Sequence, residues 1–294
     1  MRAVEIAYRY ETKEAGARPR PADADAALLR LNDGNRAFAE LLNSVKDDGS
    51  LVRRVVQVDS RDLGLLPDSS GAPSQRPFAA VLGCSDARVP LELIFNEGPN
   101  DLFVIRVAGN GLGSDALGSL KFAFEHLGGS LKLVVVLGHS GCSAVSAAVD
   151  VFLGPGGYLP LATRPALREI LDRLLFVVHA SARKLVAAFG PDIVRSGAYR
   201  QALIETSIVT NAALAAYSIQ QEIGSLGRTA LQAVYGVYLL ETREVWAPRL
   251  DQPDGAGLAP APDDLAGFEK LGDAMVTSSR ITALFADAQS APRS

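Results

Sequence analysis

The chain has 294 residues, 48% hydrophobic and 21% charged, a balance that can bury a full core in one large domain with extensions or in two small ones. Its net charge of −4, with basic residues scattered, gives no general footing for nucleic acid or an anionic membrane, and its two cysteines exclude a disulfide-dense secreted scaffold. With no apolar leader in residues 1–14 and no uninterrupted apolar stretch of about 18 residues, neither a signal peptide nor a spanning helix is expected, and the default expectation is a cytoplasmic protein.

Residues 1–22 form an N-terminal segment of mixed charged and apolar character. Residues 23–42 follow as an amphipathic helix, with Ala27, Leu28, Leu31, Phe38, Leu41 and Leu42 recurring at helical spacing and Asp23 or Asp25 suited to cap it. Residues 64–77 carry three prolines, two glycines and three serines and read as a loop. The apolar runs at 78–83, 102–107 and 132–137 have the continuous character of strands buried on both faces, and 232–240 is a fourth. Helical patterns fill the intervals at 115–127, 142–152, 166–189 and 199–223, with Pro165 suited to a first turn and Gly190-Pro191 to a stop. Buried strands alternating with helices predict an α/β fold with a mostly parallel central sheet flanked by helices. Residues 251–264, rich in Pro, Gly, Ala and Asp, read as a surface linker to a weakly helical tail at 265–287.

Chemistry concentrates in two short stretches, Cys84-Ser85-Asp86-Ala87-Arg88 and His139-Ser140-Gly141-Cys142. They hold both cysteines and one of three histidines, and two thiolates with an imidazole suit Zn²⁺. Three protein ligands leave a fourth tetrahedral position free, the mark of a catalytic site. Cys84 and His139 each follow an apolar strand, so one sheet edge gathers them. Gly138 and Gly141 let the backbone turn sharply and approach a metal or anion, and Cys142 opens a helix whose N-terminus favours a thiolate. His126 and His179 fall within helices and read as ordinary core or surface histidines. Gly109-Asn110-Gly111-Leu112-Gly113 has only the outline of a dinucleotide loop: Ser114 stands where the third glycine belongs, and the run reads as a turn near the site.

Cys-x-Asp-x-Arg followed by His-x-x-Cys resembles the signature of the β-class carbonic anhydrases. The similarity extends through residues 31–38, 105–110 and 118–127, weakens over 154–224 and returns at 233–246. The resemblance implies a catalytic domain over 23–250, with 251–294 an extension outside it. It implies one zinc per subunit on Cys84, His139 and Cys142, and reversible hydration of CO₂ to bicarbonate through zinc-bound hydroxide. Asp86 and Arg88 would be the catalytic dyad, with Asp86 taking the fourth zinc position in a closed form unless Arg88 holds it. With two thiolate ligands, activity is expected to favour alkaline pH. Gln75, nine residues before Cys84, matches a substrate-binding glutamine of the plant-like subgroup; Phe103 matches an apolar pocket residue, and Gly141 joins these substrate contacts. Phe122 and Lys121 depart from the Tyr and Glu usual in that subgroup, leaving hydrolysis of carbonyl sulfide or carbon disulfide as an alternative activity. A third reading is a non-catalytic zinc-stabilised homologue with Asp86 as the permanent fourth ligand. The family also implies a homodimer or larger homo-oligomer, with Gln75, Phe103 and Phe122 near the subunit interface. The bicarbonate-inhibited subgroup's Trp-containing segment is missing around Cys84, so allosteric inhibition is not expected.

Overall fold

The computed structural model describes residues 3–11, 18–44, 51–64, 71–154, 156, 158–227 and 230–290. Residues 65–70 of the expected loop, residues 1–2 and 12–17 of the N-terminal segment, and residues 291–294 lie outside the described residues.

The chain opens with β1 (Ala3–Glu11), α1 (Ala24–Asn43) and β2 (Leu51–Asp59). Asp23, rather than Asp25, caps α1 by accepting the Ala26 amide at 2.8 Å. The apolar stripe of α1 buries Ala27, Leu31 and Phe38, and a buried Leu such as Leu31 contributes about 2 kcal/mol. Next come β3 (Ala79–Gly83), α2 (Leu91–Ile94), β4 (Leu102–Arg106), α3 (Ser114–His126) and β5 (Leu133–His139). The helices α4 (Ser143–Leu153), α5 (Pro165–Phe189) and α6 (Tyr199–Ser225) lead to β6 (Gln232–Tyr238) and β7 (Val245–Trp246). Each predicted helix and long strand is present, with ends shifted by one or two residues.

The main sheet runs β4-β3-β5-β6-β7, with its first four strands parallel. Strands β3 and β5 are buried at every residue, which explains why their sequences are apolar without alternation. Ala80, Leu82, Val134 and Val136 face α3 to α6, while Ala79, Val81, Leu133 and Val135 face α1 and α2. The α6 helix is long and apolar enough to cross a bilayer, but 72% of its apolar window is buried within the fold. It packs on β5, β6 and α5.

Two features depart from the sequence reading, and the helical tail it expected packs into the core. The N-terminal segment supplies β1, which pairs in parallel with β2 from Ala3↔Leu51 to Glu11↔Asp59. Residues 251–264 are no surface linker: β8 (Ala259–Pro260) pairs with β6, and Leu258, Ala259 and Ala261 are buried. The few apolar residues of that Pro/Gly-rich stretch point inward, a placement that composition does not report. The tail then forms two helices, α7 (Leu265–Thr277) and α8 (Ser279–Ser290). They bury Leu271, Met275, Ile281 and Phe285 in the same core as α5 and α6.

Candidate metal centre

From β3 the chain crosses to β4 on one side, and from β4 it returns past β3 to β5 on the other. The strand order therefore reverses between β3 and β5, and a crevice at the carboxyl ends of such a pair is where α/β sheets bind ligands. Gly83 lies opposite Leu137, so Cys84 and His139 leave the sheet side by side. A turn returns Cys142 to the same place as the N-cap of α4, with Gly141 at φ 64°, a left-handed conformation that favours glycine.

Cys84, His139 and Cys142 are all buried, and their ligand atoms lie within 4.8 Å of one another. His139 Nδ1 is 2.9 Å from the Ser140 carbonyl oxygen. A carbonyl only accepts, so Nδ1 carries the proton and Nε2 presents its lone pair. Nε2 is fully buried without a hydrogen-bond partner in the protein, which an inward-facing metal ligand explains. The two thiols lie in hydrogen-bond contact. The Cys142 hydrogen bond holds Cys84 well below the usual thiol range, aided by His139 and the amides of Asp86 and Gly109. Cys142 is pushed up by that same bond to Cys84 and by burial, against the amides of Val145 and Ala144 at the start of α4. A bound metal cation would favour the thiolate form of both sulfurs. Two sulfurs and an unpartnered imidazole nitrogen fit a soft tetrahedral metal such as zinc.

Asp86 lies at the rim of this cluster, with Oδ2 3.8 Å from His139 Nε2. Arg88 grips it with a fork, Nε to Oδ1 at 3.0 Å and Nη2 to Oδ2 at 2.7 Å, and the Arg88 amide adds a third bond at 2.9 Å. This pairing holds the Asp86 carboxyl far below the ordinary carboxylate range.

Residues that sequence reasoning did not assign support Cys84. Arg106 Nε donates to the Cys84 carbonyl at 3.0 Å, fixing the turn after β3 against β4. Gly109, at φ 65°, points its amide at Cys84 Sγ from 3.3 Å, and Asn211 on α6 holds the Gly109 carbonyl at 2.8 Å. The glycine run that resembled a nucleotide loop thus donates to a sulfur. The only sequence signal was its place just past a strand end.

The remaining predicted residues are not gathered at the cluster. Gln75 is exposed at the amino end of β3, with Ser74 and Arg76 on either side bonded to Asn100. Cys84 is at the other end of that strand, about 17 Å away for five extended residues. Phe103 lies on the edge strand β4, half-buried against the core. Phe122 is 53% exposed and stacks on His126 at 4.1 Å, and Lys121 pairs with Glu222 of α6 at 2.8 Å. His179 sits edge-on to Phe152. A cavity of about 1130 Å³ opens between α4, α5, α6 and α7 and includes none of the site residues.

The fold and cluster define an α/β protein with three converging donors that could hold a metal at the carboxyl end of its sheet. The family model described as carbonic anhydrase matches residues 79–234, more than half of the chain, and the chain belongs to that family. It is 44% identical over 106 residues to carbonic anhydrase 2 of Mycobacterium tuberculosis, covering 35% of this chain and 46% of that one. It is 38% identical over 114 residues to the carbonic anhydrase of Mycolicibacterium smegmatis, covering 38% and 50% respectively. The chain thus spans about half the length of the curated relatives it matches. Among solved structures, a β-carbonic anhydrase of Coccomyxa in complex with acetazolamide aligns with TM-score 0.48 and 21% identity, covering 64% of this chain and 76% of that one. The β-carbonic anhydrase CafA of Aspergillus fumigatus aligns with TM-score 0.47 and 20% identity, covering 67% and 82%.

Proposed function

We propose that this chain is a zinc enzyme interconverting CO₂ and bicarbonate, carried above all by the unpartnered His139 Nε2 facing the two sulfurs beside an Arg-held Asp86. Cys84, His139 and Cys142 would hold zinc, which would supply a Lewis acid able to acidify water. Everything else falls to the chain. Asp86 Oδ2, at the rim of the cluster, would accept a hydrogen bond from the attacking water and orient its lone pair toward CO₂. Arg88 keeps that carboxylate ionised and turned toward the guanidinium, so it would be held back from capping a bound metal. Burial of all three donors keeps bulk water from competing for them. Gly141 lets the 139–142 turn pass close to the substrate without a side chain in the way.

In the same reading the chain works as a homo-oligomer in the cytoplasm, with one zinc per chain. The half-buried edge strand β4, carrying Phe103, and the exposed Phe122 are surfaces suited to a second copy, which would bring its Gln75 toward the substrate. Stopped-flow CO₂ hydration by zinc-loaded chain at alkaline pH tests the proposal. A zinc-dependent rate above buffer is the expected result; its absence overturns the reading.

A further inference from the structure

We propose that Glu241 and Arg280 are positioning residues for the metal centre, so that the C-terminal helix α8 completes the site through the turn carrying His139. The proposal rests on the zinc reading above.

The His139 Nδ1 proton is held by the Ser140 carbonyl, so the direction of Nε2 depends on how Ser140 is fixed. Ser140 is tied three times to the end of β6 and the segment that follows it. Its amide donates to the Tyr238 carbonyl at 2.9 Å, its hydroxyl donates to Glu241 Oε2 at 2.8 Å, and the same hydroxyl accepts the Leu240 amide at 2.9 Å. Glu241 is half exposed and would otherwise swing free in solvent. Arg280 of α8 prevents this by donating from Nη1 to Glu241 Oε1 at 2.5 Å.

Arg280 is itself anchored deep in the fold. Its Nε donates to Glu205 Oε2 at 2.8 Å, and Glu205 is a buried carboxylate on α6 whose other oxygen accepts from Gln201 at 2.8 Å. The guanidinium also lies 5.8 Å over the Trp246 ring. A continuous, charge-assisted chain therefore runs from Glu205 through Arg280, Glu241 and Ser140 to His139. The turn it holds carries two of the three metal donors, His139 and Cys142, so slack in Ser140 reaches both. The third donor is steadied from α6 as well, through Asn211 and Gly109. What α8 adds is the single cation that joins the α6 carboxylate to the loop beside the metal.

The test uses the full chain loaded with zinc, or with cobalt as a spectroscopic substitute. Glu241→Gln keeps the shape and removes the charge. The double variant Arg280→Met with Glu205→Gln removes the cation without stranding a buried carboxylate. Arg200→Ala, which breaks the exposed pair with Asp150, is the control for general loosening. In both test variants zinc release to a chelator should accelerate by about ten-fold or more, and the cobalt bands should shift. The control should match the unmutated chain in both readouts. Unchanged release and cobalt bands in folded test variants, or equal changes in the control, would overturn the proposal. An unmutated chain that takes up neither metal overturns the zinc reading first, which separates the two failures.

Discussion

The two ends of the parallel sheet each hold a carboxylate gripped by arginine, and the two are built for opposite purposes. At the carboxyl end, Asp86 meets the exposed guanidinium of Arg88, which holds it far below the ordinary range. At the amino end, Glu97 is wholly buried, with Arg30 Nε at 3.0 Å from one oxygen and Arg18 Nη2 at 2.8 Å from the other. Burial nevertheless pushes Glu97 up to about 7, against those two arginines. The amino end leaves little unmet: Arg18 also donates to the Asn96 carbonyl, and the Tyr8 hydroxyl to the Glu97 carbonyl, so N-terminal residues are pinned to the core. The carboxyl end leaves His139 Nε2 and two sulfurs facing one another. Full satisfaction makes a clamp, whereas three converging donors beside an oriented carboxylate suit a metal.

The widest separation between the two ends comes from removing a donor. Cys84→Ser should lose zinc and CO₂ hydration together while the chain still folds, checked by metal content, stopped-flow rates and circular dichroism. A variant that keeps full activity would show that the chemistry lies elsewhere. Asp86→Asn is the next largest. It should retain zinc and lose rate by on the order of 10²-fold, because the amide no longer fixes the orientation of the attacking water. Loss of zinc in that variant would instead make Asp86 a ligand, and the carboxyl end would then be as closed as the amino end.

How much of this was legible in the chain follows from how local each feature is. The donors were readable because Cys84 and His139 sit at the ends of apolar runs whose limits the sequence marks within a residue or two. The reversal of strand order that brings those runs together follows from ordinary βαβ connections. Other features depend on partners far away in sequence. Nothing in residues 3–11 names residues 51–59 as a partner strand, and an alternation broken by charge conceals β1. Leu258 and Ala259 look like linker residues until the β6 edge is there to receive them. The Glu205–Arg280–Glu241–Ser140 chain joins four separate segments, and each residue alone reads as a surface charge or a turn. Gln75 shows the reverse case: its spacing from Cys84 matched the family, but a five-residue strand between them puts it at the other end of the sheet.

The smallest expected effect is also the one that tests the contrast between the two carboxylates directly. The folded chain holds the Glu97 proton more tightly than an unfolded chain does, with about 7 replacing the ordinary 4.5. Folding therefore takes up a proton between those values. The stability Glu97 contributes is complete below the ordinary value and is lost as pH rises through about 7. Glu97→Gln cannot titrate and should remove this term. Urea unfolding of both chains between about pH 5 and about pH 8 should show the unmutated chain losing up to about 3 kcal/mol relative to the variant as pH rises. A difference that stays flat or rises with pH would mean that Arg18 and Arg30 hold Glu97 down as Arg88 holds Asp86. Burial would then not be what distinguishes the two ends.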